Sequence, residues 1–202
     1  MMRITPLACW AYKLSLRDLS EAVRADVSLM HSKPEMWALC TAYCLGIGSL
    51  ISNAGKADRA QAALAAVQEY AETEGVAPCV KNYLDKAEEL ASLDLGSQMF
   101  GHDVFNPQAY VGDVKHGFVL AFYGLCLAAK DGATSGLYNK VMRQTLILGG
   151  DTDTNCAIAG GLVGAFVGVN GIGRMKLEKV LECKPETFDL AHPSVANRPR
   201  FV

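Results

Sequence analysis

Residues 149–154 read Gly149-Gly150-Asp151-Thr152-Asp153-Thr154 and open a long apolar segment, so two carboxylates and two hydroxyls meet where a helix begins. An all-oxygen donor set suits a hard cation, Mg²⁺, Mn²⁺ or Ca²⁺, better than zinc. Asp151 and Thr154 are three residues apart and share one helix face, with Asp153 projecting beside them. The two glycines let the backbone turn tightly and come close to a ligand. The same residue types also cap helices, where they accept bonds from free N–H groups and offset the helix dipole. Two acids and two threonines exceed what one cap requires.

Other motifs with these letters do not fit. An EF-hand loop opens with Asp151-x-Asp153-x-Asn155, but Cys156 stands where it needs glycine and Leu162 where it needs glutamate. The Asp-x-Asp motif of haloacid-dehalogenase-type phosphatases follows the first strand of an α/β sheet, and no βαβ pattern follows Leu146-Ile147-Leu148 here.

Helices must position these residues. Leu16, Leu19, Val23, Val27 and Met30 form one apolar stripe. Met36, Trp37, Cys40, Tyr43, Cys44, Ile47, Leu50 and Ile51 form a second, in a helix that Ser32 and Glu35 open as a capping box with Pro34 in the first turn. Punctuation by Gly, Pro, Asn and Asp predicts further helices near 57–73, 79–92, 113–130, 135–147, 152–169 and 174–182. Few segments alternate with period two, so the fold class is all-α. From Asp94 to Tyr110 no helical period is visible, and long loops of this sort are often functional or disordered.

The chain has 202 residues, half of them apolar, enough for one domain with a sizeable core. A net charge of −2 gives no general attraction to nucleic acid or acidic membranes, and Arg198-Pro199-Arg200 reads as a solvated tail. Cysteines at 9, 40, 44, 79, 126, 156 and 183 make no Cys-x-x-Cys pair, which predicts reduced thiols, a cytoplasmic setting and no zinc site. The N-terminus lacks the apolar core of a signal peptide. Cys156 to Val169 reads as a buried core helix, short of the roughly 20 residues a membrane span needs. Its glycines at 160, 164 and 168 line one face and admit a neighbouring helix.

The stretch from Gly149 to Gly168 closely resembles the C-terminal metal motif and following helix of the ADP-ribosylglycohydrolase family, which includes the dinitrogenase reductase-activating glycohydrolases. Three shorter matches fall in the family's order: Met2-Arg3-Ile4-Thr5-Pro6-Leu7, Met30-His31 after an amphipathic helix, and Tyr110-Val111 ahead of Phe118 to Leu127. The resemblance implies an all-α orthogonal multi-helix bundle and hydrolysis, at a two-magnesium centre, of the bond joining ADP-ribose to a protein side chain or small molecule. Asp151, Asp153 and Thr154 match metal ligands, with Mn²⁺ a substitute for Mg²⁺. His31 matches a position that helps to bind ADP-ribose, although Met30 stands where Thr is common. Tyr110 and Val111 match the segment along the nucleotide, and Gly149 and Gly150 the backbone beside the substrate. Taken without the resemblance, His31 reads equally as a histidine at a helix C-terminus and Tyr110 as a core aromatic.

Family members carry a Gly-Asp segment, a gating glutamate and a Thr-Asp-Asp ligand set ahead of the Met-Arg-Ile stretch, and no Thr-Asp-Asp occurs in this sequence. Residues 1–202 therefore match the C-terminal two-thirds of a family domain, without its N-terminal helices, and no catalytic acid/base residue is identified. Two Mg²⁺ ions about 4 Å apart repel by roughly 16 kcal/mol at an effective dielectric of 20. Two aspartates offset little of that, so at most one ion is expected in this chain alone, largely ligated by water. The expected partners are ADP-ribose or an ADP-ribosylated protein, with no nucleic acid and no membrane, and a second copy or partner chain over the face the missing helices would cover. A non-catalytic ADP-ribose-binding or structural remnant of the family is the alternative.

Overall fold

A computed structural model describes residues 1–93, 99–132 and 135–182. The predicted features at Cys183, at Arg198–Arg200 and over 94–98 of the long loop lie outside the described residues. Among those described there are nine helices and no strand: α1 Thr5–Ala11, α2 Leu16–Val27, α3 Pro34–Ser52, α4 Arg59–Ala71, α5 Cys79–Ser92, α6 Val114–Asp131, α7 Leu137–Leu148, α8 Thr152–Ile172 and α9 Arg174–Glu182. The chain divides into two compact units, Met1–Ile172 and Gly173–Val202. In the second, α9 carries an Arg174–Glu178 ion pair one turn apart.

Three helices form the heart of the first unit. α6 packs on α8, α5, α4 and α7, and α3 packs on α4, α2, α1 and α8. The sequence predicts an amphipathic α3, yet Ala38 to Cys44 are all buried, so its middle is enclosed on every side. Its start also differs from expectation. Pro34 occupies the first turn, which puts Lys33 at the cap position, and no side chain caps the helix; the Ser32–Glu35 capping box does not form.

The α2 stripe is shorter than expected: Leu19, Val23 and Val27 are buried, whereas Met30 lies beyond the helix and is exposed. α1 has no sequence signature of its own. It is seven residues long and buries only Ala8 and Ala11, too few positions to display a period.

α8 continues past the expected end at Val169 and reaches Ile172, after a break at Gly168 with φ 70° and ψ 176°. The 21 residues of α8 are thus two helical stretches joined across that break. By length and composition alone, α3 and α8 are both apolar enough to cross a membrane, a test that core helices of soluble proteins also pass. In α8 the residues Ile158, Ala159, Leu162, Val163, Phe166 and Val167 are buried. Gly160 and Gly164 face Tyr138 of α7, as the small-residue spacing predicts, but Gly168 faces nothing and serves as the break. Arg59 donates to the Phe166 carbonyl at 2.8 Å, two residues ahead of that break, and stacks on the Phe166 ring.

Candidate functional site

The N-terminal turn of α8 is built by the loop before it. Gly149 has φ 69° and ψ −149°, a conformation essentially reserved for glycine, and Gly150 has φ 72°. A Cβ on Gly150 would sit 2.7 Å from the Pro107 carbonyl oxygen, and one on Gly149 would sit 2.6 Å from Gln108 Nε2. Both glycines are therefore pressed against the 107–108 loop, and neither lines the cleft described below. Asp151 follows, and its carbonyl accepts the first bond of the helix from the Asn155 N–H at 2.9 Å.

Asp151, Thr154, Asn155 and Ile158 then form one face of α8 along a cleft of about 350 Å³. The opposite walls come from distant parts of the chain: Arg3 and Ile4 ahead of α1, Asp26, Val27, Met30 and His31 at the end of α2, and Gly112, Asp113 and Val114 at the start of α6. Helical periodicity explains why these α8 residues share a side, since they fall at i, i+3, i+4 and i+7. His31 reaches the cleft because its N–H bonds to the Val27 carbonyl at 2.8 Å, wrapping the chain over the end of α2. Trp37 Nε1 holds the His31 carbonyl at 3.0 Å.

The expected site residues divide. Asp151, Thr154 and His31 line one cleft. Asp153 is exposed and does not line it. The neighbouring Asp151 side chain, with the N–H groups of Thr154 and Asp153 itself, holds the Asp153 carboxyl below its usual range. Tyr110 and Val111 are 68% and 67% exposed and lie outside the lining, although Gly112 and Asp113 just after them belong to it. Tyr110 is thus no core aromatic. Its ring lies beneath Lys115 Nζ, 4.8 Å from the centroid.

Sequence reasoning missed Asp26, Asp113 and Asn155 as cleft residues. Asp26 pairs with Arg3 at 3.0 Å, and Arg3 also donates to the Asp26 carbonyl at 2.9 Å. Asp113 caps α6 by accepting the Lys115 N–H at 3.0 Å, with Lys115 Nζ 3.5 Å from its other oxygen. An aspartate at a helix start was a legible signal for the second of these; nothing local marks the first. Asn155 is 3% exposed and its Nδ2 has no hydrogen-bond partner.

Of the three aspartates in the lining, Asp26 is paired with Arg3 and Asp113 with Lys115, so Asp151 carries the remaining negative charge toward a cation. Asp151, Asp153 and Thr154 are oxygen donors at one helix end and fit a single hard ion with water completing its shell. Among the described residues no group of three or more His, Cys, Asp or Glu is placed to hold a metal, so the donors present do not fit an ion pair of the two-metal kind. Cys40 and Cys44 are buried in α3, where burial pushes both thiols up.

The model of the ADP-ribosylglycohydrolase family matches residues 1–199, and the chain belongs to that family. The all-helical structure agrees with the family's all-α fold. No curated protein and no solved structure matches the chain.

Proposed function

We propose that this chain binds the ADP-ribosyl group in the cleft between α8, the end of α2 and the start of α6, and takes part in metal-dependent hydrolysis of its bond to a side chain or small molecule. One observation carries the reading: His31 and the Asp151–Thr154 face, assigned separately from resemblance, line the same cleft. Asp151, Asp153 and Thr154 would hold one Mg²⁺ or Mn²⁺, which when bound supplies an activated water and a counter-charge. The Asp151 carboxylate by itself repels a diphosphate, so ligand binding should depend on the cation. Hydrolysis breaks the bond at the anomeric carbon, gives that carbon the water oxygen and returns a proton to the leaving group. His31 would orient the nucleotide from the wall opposite α8, and Tyr110 and Val111 would contact it from outside the cleft proper.

A second reading, ADP-ribose binding without turnover, is favoured by the small number of metal donors in the described residues. Calorimetric titration with ADP-ribose, with and without Mg²⁺, tests both. Mg²⁺-dependent binding lost in Asp151→Asn supports the site, and release of ADP-ribose from an ADP-ribosylated protein separates hydrolysis from binding. Binding that ignores both Mg²⁺ and Asp151 would overturn the metal assignment.

A further inference from the structure

Asn155 is the odd residue in the cleft. It is 3% exposed, its Nδ2 is buried without an acceptor, and buried amides are otherwise almost always bonded. Gly117 of α6 lies against this amide, since a Cβ there would be 3.3 Å from Asn155 Oδ1 and 2.5 Å from Ile158 Cδ1. The amide is clamped between a glycine and a cleft that it lines. A purely structural role would be served better by an apolar residue of the same size, since an unmade bond is what makes a buried polar group unfavourable.

The neighbours narrow what the missing partner can be. Asp26, Asp113 and Asp151 offer carboxylate acceptors in the same cleft, while Asn155 offers a neutral donor. A hydroxyl both accepts and donates, so among the groups of ADP-ribose it satisfies an amide and a carboxylate together, which a phosphate oxygen, an acceptor only, does not. Resting on the ADP-ribose reading above, we propose that Asn155 is a positioning and specificity residue that donates to a hydroxyl of the terminal ribose, the sugar at which the scissile bond begins.

The test compares wild type, Asn155→Leu and Asn155→Asp by thermal melting without ligand and by calorimetric titration with ADP-ribose and with ADP, which lacks the terminal ribose. Both titrations contain Mg²⁺. The expected result for Asn155→Leu is a melting temperature equal to or above wild type, ADP-ribose binding about tenfold weaker, and ADP binding unchanged. Asn155→Asp keeps the shape and removes the donor once ionised; its loss should again fall on ADP-ribose rather than ADP, both of which carry the diphosphate that an added charge repels.

Equal ADP-ribose affinity in wild type and Asn155→Leu would overturn the proposal while leaving the cleft as the ADP-ribose site. So would a melting temperature that falls together with affinity, because that marks a structural residue. Wild type that binds neither compound would overturn the ADP-ribose reading itself, and this inference with it.

Discussion

The Tyr43 hydroxyl donates to the main-chain oxygen of Ile158 at 2.9 Å, across 115 residues of sequence, and lies 3.1 Å from the Thr5 hydroxyl. α1, α3 and α8 meet at that one buried hydroxyl. Gly161 leaves the space for it, since a Cβ there would overlap the Tyr43 hydroxyl. Burial pushes the phenol's pKa up, so it remains a donor throughout the usual pH range. Ile158 belongs to the cleft face of α8, so the bond also fixes the height of Asp151, Thr154 and Asn155 against the opposite wall.

Replacing Tyr43 with Phe should therefore lower stability by about 1–2 kcal/mol, the scale of one buried hydrogen bond whose partners are left unsatisfied. Urea denaturation gives the number, with an unchanged slope expected because the buried surface is the same. A midpoint identical to wild type would show that the three-helix junction does not depend on this hydroxyl.

Gly149→Ala should destabilise by about 1–3 kcal/mol, because φ 69° with ψ −149° is forbidding to any side chain and the new Cβ would strike Gln108. Paired measurement with Gln108→Ala separates the two causes. If the loss persists in the double variant, backbone strain dominates; if it vanishes, crowding does. No loss in the single variant would remove the conformational account of this glycine pair.

The prediction at Gly149 shows what one chain reveals unaided. Helix periodicity and punctuation are local, and they place α5 to within its ends and put the helix start at Thr152. The donor face of Asp151 and Thr154 is legible for the same reason. Other features are settled by distant contacts: Met30 leaves its stripe because the chain turns at His31, and α3 loses amphipathicity because helices enclose it. Asp26 joins the cleft through an ion pair with Arg3, 23 residues away, which no spacing rule anticipates. The glycines at 149 and 150 read in sequence as room for a ligand, whereas the neighbour that fills the room is the chain's own 107–108 loop.

His116 sets a pH dependence. It is buried beside Phe105, and burial, reinforced by the Lys115 charge, lowers its pKa from the ordinary 6.5, with Asp113 opposing. The folded state thus takes up this proton at lower pH than the unfolded state. The unfolded chain binds more protons once pH falls below about 6.5, so stability is full above that value and is lost as pH falls through it toward the folded pKa. Urea midpoints at about pH 7.5 and about pH 5.5, on either side of that value, should show the loss in wild type and a smaller one in His116→Gln. Equal losses in both would assign the effect to other groups.

His31 offers a cleaner test of the cleft than any buried residue. Its side chain is exposed and its structural bonds, to Val27 and Trp37, are made by its backbone. His31→Ala should preserve both and leave stability within about 0.5 kcal/mol of wild type. If the imidazole orients the nucleotide, ADP-ribose affinity in the presence of Mg²⁺ should fall by about 3- to 10-fold, the range of one hydrogen bond. The Mg²⁺ concentration needed for binding should stay the same, because His31 lies on the wall facing Asp151 rather than among the metal donors. Unaltered affinity in a stably folded His31→Ala would make this histidine a bystander at the cleft and leave Asp151, Thr154 and Asn155 as the residues that recognise the ligand.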